Sequence, residues 1–269
     1  MTRGMFRVVC LMALLAALTA PARADVGIDT LYTANAIVTG TDMRQRPWGF
    51  AQCLKEVLVK VSGDPALRDD PRVDDLAQHA DQLVASFDYA DLMAGIKKKD
   101  DQGSYDRPHR LTAHFDPTKI DAALATLGDR PWRGVRPVVV PVLRVEGPKP
   151  PPYMLSVETP RGEEQRAAFA EAAAEFGMTA RMPSESELKD WRAIADVLSP
   201  LLLPSSDREA FVAGTLEWNE ALPGWVGTWQ LRWHGVAHHW GIGGVNYDAA
   251  FRDIVRGVVL LASRRGAPD

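Results

Sequence analysis

Internal disulfides are excluded by the cysteine count. The chain holds two cysteines, Cys10 and Cys53, and the first sits in an apolar leader expected to be removed. Stability must therefore come from core packing. A membrane-spanning run is lacking too: the apolar stretch Val8 to Ala20 is 13 residues long, whereas a spanning helix needs about 20. Chemistry-bearing motifs are equally scarce. The sequence has no Gly-x-Ser-x-Gly elbow and no His-Glu-x-x-His helix, and beyond the leader it has no second thiol for a thiolate metal site. Excess positive charge is the last absence. Without Arg3, Arg7 and Arg23, 28 basic residues face 35 acidic ones, a net charge of about −7. Nucleic acid, which demands a basic footprint, is excluded as a partner, and electrostatic docking on anionic lipid is disfavoured.

What is present begins with an address. Arg3 and Arg7 precede the apolar run, Pro21 breaks it, and Ala22-Arg23-Ala24 places small residues where a signal peptidase reads. Residues 1–24 are expected to be a Sec-type signal peptide cut after Ala24, leaving a soluble chain from Asp25 with no transmembrane anchor. Cys10 lies away from that boundary, so no lipid anchor is expected.

The remaining chain reads as α+β / α/β: two mixed sheet-and-helix sandwich units, 25–132 and 133–269, divided near Asp129 to Arg136. In the first, Leu31 to Thr39 is a strand with Tyr32, Ala34, Ala36 and Val38 on one face. Pro47 opens a helix with Phe50, Leu54, Val57, Leu58 and Val61 inward, Lys60 snorkelling outward and Gly63 as its cap. Cys53 borders that stripe as a buried, inert thiol. Asp70-Pro71 starts a helix carrying Val73, Leu76, Ala77, Ala80, Leu83 and Val84. A hairpin follows from Ser86 to Met93 and Arg110 to Phe115, with a polar tip at Lys97 to Asp106. Asp116-Pro117 then begins a helix with Ile120, Leu124 and Leu127 inward.

The second unit opens with the apolar run Pro137 to Val145, a strand buried on both faces in which Pro141 implies a bulge or an edge. After the polyproline turn Gly147 to Pro152 come a helix from Glu163 to Phe176 and a short strand from Met178 to Met182. The capping box Ser184-Glu185-Ser186-Glu187 begins a helix reaching Leu198. Beyond the Pro200 to Pro204 loop, strands at Ala210 to Trp218, Trp225 to His234 and Val236 to Trp240 form an antiparallel meander. The last helix, with Phe251, Ile254, Val255, Val258 and Leu261 on one side, covers it.

Five of the eight tryptophans fall between residues 218 and 240. Trp225, Trp229, Leu231 and Trp233 share one strand face, which reads as core beneath the last helix or as an aromatic binding platform. Packing is the preferred reading, with Thr228, Gln230, Arg232 and His234 outside. His238 and His239 are neighbours on a strand and point to opposite faces, so no metal site is assigned. Gly241-Ile242-Gly243-Gly244 reads as a turn from hairpin to helix rather than a phosphate loop, because Asn246 stands where the dinucleotide pattern needs glycine.

Three stretches together resemble a known family: Tyr32-Thr33-Ala34 through Val38-Thr39-Gly40-Thr41-Asp42, then Val57-Leu58-Val59-Lys60-Val61-Ser62-Gly63-Asp64, and the Trp225/Trp229/Leu231 strand leading to Trp240. The combination is similar to the bacterial domain of unknown function 2066, over essentially the whole chain beyond the leader. The resemblance implies a Gram-negative periplasmic location and carries no catalytic residues with it.

The function expected is a non-enzymatic binding or scaffolding module of the cell envelope, with an envelope protein or small ligand as partner and no cofactor. An enzyme is the alternative, with Asp42, Arg44, Arg46 and Asp64 gathered at one end of the first long helix. Metal binding through His234 and His238 is the third.

Overall fold

The computed structural model describes residues 28–95, 107–149, 151–198, 206–221 and 223–268. The leader, the hairpin tip at 97–106 and the loop at 200–204 lie outside the described residues.

The chain begins with α1 (Ile28–Leu31) and β1 (Thr33–Thr39), in which Tyr32, Ala34, Ala36 and Val38 are buried as the alternation requires. Helix α2 (Arg46–Ser62) has a proline in its first turn and ends on Gly63 at φ +66, whose N–H donates to the Val59 carbonyl. Its inner face is Phe50, Cys53, Leu54, Val57, Leu58 and Val61. Burial pushes the Cys53 thiol up to about 12, so the native protein should resist thiol-labelling reagents at pH 8. Labelling should become complete only in denaturant, which makes it a reporter of global opening.

Lys60 departs from the expected outward path. Its side chain is buried, donates to the Thr33 carbonyl at 2.9 Å and pairs with Glu56 one turn earlier. A cation here satisfies a carbonyl on the strand beneath the helix, which outweighs snorkelling.

Helix α3 (Pro71–Ala77) is also shorter than the apolar spacing implies. Asp70 caps its start by accepting from the Arg72 N–H, but a 3₁₀ turn, Ala80–Gln82, replaces its second half and Val84 already belongs to β2 (Val84–Asp91). The turn redirects the chain so that β2 can pair with β3 (Pro108–Phe115), which also pairs with β1. All three strands are antiparallel in the order β1-β3-β2. Helix α4 (Pro117–Thr126) follows, capped by Asp116, which accepts from the N–H groups of Thr118 and Lys119.

The second sheet is built on β4 (Val138–Glu146), β5 (Tyr153–Met154), β6 (Glu209–Asn219), β7 (Gly224–Trp233) and β8 (Val236–Val245), in the order β5-β4-β6-β7-β8. Strand β4 runs parallel to β6 in unbroken register from Val138 to Glu146. There is thus no bulge at Pro141; on the other side of β4 the proline falls in the gap between the Val139 bridge to Ala180 and the β5 pairing at Arg144 and Val145, where no ladder N–H is needed. Met178 to Met182 contributes a single bridge, Ala180 to Val139, rather than a strand. Helices α5 (Glu163–Glu175) and α6 (Glu185–Leu198) lie between β5 and β6 in the chain. The capping box of α6 is complete: the Glu187 N–H donates to Ser184 Oγ at 3.2 Å and the Ser184 N–H to Glu187 Oε2 at 2.8 Å.

Strand β8 corrects the reading of the glycine segment. Gly241 to Gly244 are not a turn but part of the strand, with Ile242 opposite Gly227 and Val245 opposite Trp225. Glycine is required there by close approach, since a Cβ on Gly241 would lie 2.5 Å from the Gly227 carbonyl oxygen. Helix α7 (Tyr247–Ala262), capped by Asn246, then lays Phe251, Ile254, Val255 and Val258 against the sheet, all fully buried. The aromatic face of β7 lies in the same core, with Trp229 1% and Trp225 and Trp233 each 8% exposed. The fold is α+β, and one continuous hydrophobic cluster joins both sheets.

Candidate functional site

A cleft of about 600 Å³ opens where β1 and α2 of the first sheet face α5 and α7 of the second. Strand β1 lies at the margin of its sheet. The Gly40 N–H donates to the carbonyl of Arg107, just before β3, and the Tyr32 carbonyl accepts from the Phe115 N–H of β3, so by alternation the backbone groups of Thr33, Asn35 and Ile37 point away from it. Lys60 takes the Thr33 carbonyl. Among the described residues nothing takes the outward backbone groups of Asn35 and Ile37, which line the cleft. Two large apolar side chains flank them: Ile37 is 51% exposed and Trp48 53%. An unpaired strand margin beside exposed apolar groups is a template for another extended chain.

The cleft floor is ionic. Glu56 reaches it from α2, and Arg68 from the 3₁₀ turn Pro65–Asp69. Glu175 at the end of α5 accepts Arg252 of α7 at 3.3 Å and stands 3.6 Å from Arg68. Lys55 is held by Asp74. Burial raises the Glu56 carboxyl above its ordinary value and the nearby Glu175 adds to the rise, while Lys60 and Arg68 oppose it. A carboxyl raised in the fold stabilises most below its unfolded pKa and loses that contribution as pH rises through the folded pKa. The melting temperature of wild type relative to Glu56→Gln should therefore fall as pH climbs from about 4.5. A flat difference across pH 4 to 7 would contradict this.

The sequence-derived candidates fall elsewhere. Asp42 and Arg44 form an exposed pair at 2.6 Å, and Arg46 stacks over Phe87 and donates to the Tyr89 hydroxyl, all near the start of α2. Asp64 is at the opposite end, bonded to Arg265 at 3.0 Å. A 17-residue helix separates the two groups, roughly 25 Å, so the four residues do not form one site. His234 neighbours Asp207 at 3.6 Å and is exposed. Among the described residues no three His, Cys, Asp or Glu side chains are placed to hold a metal ion, and no helix is long and apolar enough to cross a membrane. The signal of the cleft residues is spatial. Only the spacing of Glu56 and Lys60 by four, across the apolar Val57-Leu58-Val59, is visible locally.

Residues 26–133 match a family model described as a domain of unknown function (DUF8605). The match covers the three-stranded half, less than half of the chain, and brings no activity with it. It supports an uncharacterised domain and does not extend to the domain 2066 likeness. No curated protein and no solved structure matches the chain.

Proposed function

We propose that the chain is an exported periplasmic protein that binds an envelope partner without chemistry of its own, gripping an extended segment of that partner along the open margin of β1. The observation that carries the reading is the pair of outward backbone positions, Asn35 and Ile37, set in a cleft between two exposed apolar anchors. The ionic groups beneath are paired with one another, which suits holding two halves at a fixed distance more than proton transfer. The leader of residues 1–24 supplies the address, the domain 2066 likeness narrows it to the periplasm, and the matched segment supports treating 25–132 and 133–269 as separate domains.

A second reading draws on one feature. Glu56, raised by burial beside Glu175, is the kind of acid a hydrolytic site uses. Glu56→Gln would abolish an enzyme's turnover but leave strand addition intact.

The test is cross-linking in living Gram-negative cells, with a photoreactive phenylalanine analogue at Trp48 of the full chain. Discrete adducts should form and vanish when Ile37→Pro is added, because that change removes an outward N–H and leaves the β3 ladder whole. Adducts unchanged by Ile37→Pro, or equally formed from Val236 on β8, would overturn the proposal.

A further inference from the structure

A second cavity, of about 760 Å³, lies at the far end of α2, where the 128–134 connection passes the end of α7. Four arginines line it: Arg130, Arg133, Arg264 and Arg265. Two are spent on the fold. Arg133 pairs with Asp121 at 2.9 Å, and Arg265 holds Asp64, Asp129 and the Ser62 carbonyl at the close of α2. The guanidinium groups of Arg130 and Arg264 have no partner among the described residues. In a chain with more acids than bases, two unspent guanidiniums facing one cavity form an anion-binding pair.

Two further observations define the site. The Asp129 carboxylate is spent on the fold: its Oδ1 accepts from Arg265 and from the Arg130 N–H, and its Oδ2 is buried out of a ligand's reach. Arg264 also sits at φ +62, the left-handed position after a helix end where glycine is the ordinary choice. An arginine held there against backbone preference places its guanidinium at the cavity.

We infer that this cavity binds a phosphate-bearing anion, with the phosphate group on Arg130 and Arg264. Such chemistry occurs in a soluble sugar or glycerol phosphate and in a phospholipid headgroup. The cavity is distinct from the cleft along β1, and the inference does not depend on the function proposed for that cleft.

The test is equilibrium dialysis of residues 25–269 against glycerol 3-phosphate and inorganic phosphate at constant ionic strength, with flotation on phosphatidylglycerol and phosphatidylcholine vesicles in parallel. Glycerol 3-phosphate and inorganic phosphate should both bind saturably. Arg264→Gly suits the backbone and has no partner to lose, so it should fold normally and weaken binding about tenfold. Flotation with phosphatidylglycerol alone would identify the source as a headgroup, and binding in dialysis alone a soluble ester. No saturable binding in either arm, or an Arg264→Gly variant that binds as wild type does, would overturn the inference.

Discussion

Trp229→Ala is expected to destabilise the protein by about 3–5 kcal/mol, the range for truncating a buried aromatic. Trp229 is the largest fully buried side chain, and its Nε1 donates to Asp253 Oδ2 of α7 at 3.0 Å. Asp253 is itself 7% exposed, and its backbone carbonyl accepts from Trp240 Nε1 at 3.3 Å. Helix α7 reaches the sheet at Gly257, where a Cβ would meet the Trp240 indole at 2.6 Å. Removing the indole thus opens a cavity and takes a donor from a buried carboxylate. Trp229→Phe separates the two effects: it keeps most of the volume, loses the N–H, and should cost about 1–3 kcal/mol. Were this face a surface platform, either change would stay within about 0.5 kcal/mol. Chemical denaturation of the three proteins decides between packing and display.

Lys60→Met is the second large effect, with a loss of about 3–5 kcal/mol expected when one partner of a buried ion pair is removed. Glu56 would be left half-buried and unpaired beside Glu175, and the Thr33 carbonyl would lose its donor. The double variant Lys60→Met/Glu56→Leu removes both charges and should be more stable than Lys60→Met alone, retaining mainly the cost of the Thr33 carbonyl, about 1–3 kcal/mol. A double variant less stable than the single one would mean that the pair is not the source of the loss. The neighbouring joint is held differently. Arg136 stacks on Trp132 at 4.1 Å, donates to the Lys60 carbonyl at 2.7 Å, and is pushed down to about 10 by burial, still charged at neutral pH.

Local physics makes most of the element boundaries readable. Asp70 and Asp116 before prolines, the Ser184–Glu187 box and Gly63 after a helix each act within a few residues, and each does what its chemistry indicates. Alternation along β1 and β3 worked for the same reason: period two decides which side chains face the core. Elsewhere a distant partner decides. Lys60 looked like a solvent-seeking cation until the strand beneath it supplied a carbonyl. Gly241 to Gly244 looked like a turn because glycine's role there is close approach to β7. The cleft was hidden more thoroughly still, since Asn35, Glu56, Glu175 and Arg252 come from four elements spread over most of the chain.

Residue-resolved amide exchange across β1, on residues 25–269 alone and with the cross-linked partner, tests the central claim most directly. In the free protein Ala34, Ala36 and Val38 should exchange slowly and Asn35 and Ile37 fast, because only the even positions bond to β3. In the complex Asn35 and Ile37 should become protected while β8 is unchanged. Odd positions already protected in the free protein, or unaffected by the partner, would contradict strand addition at this margin.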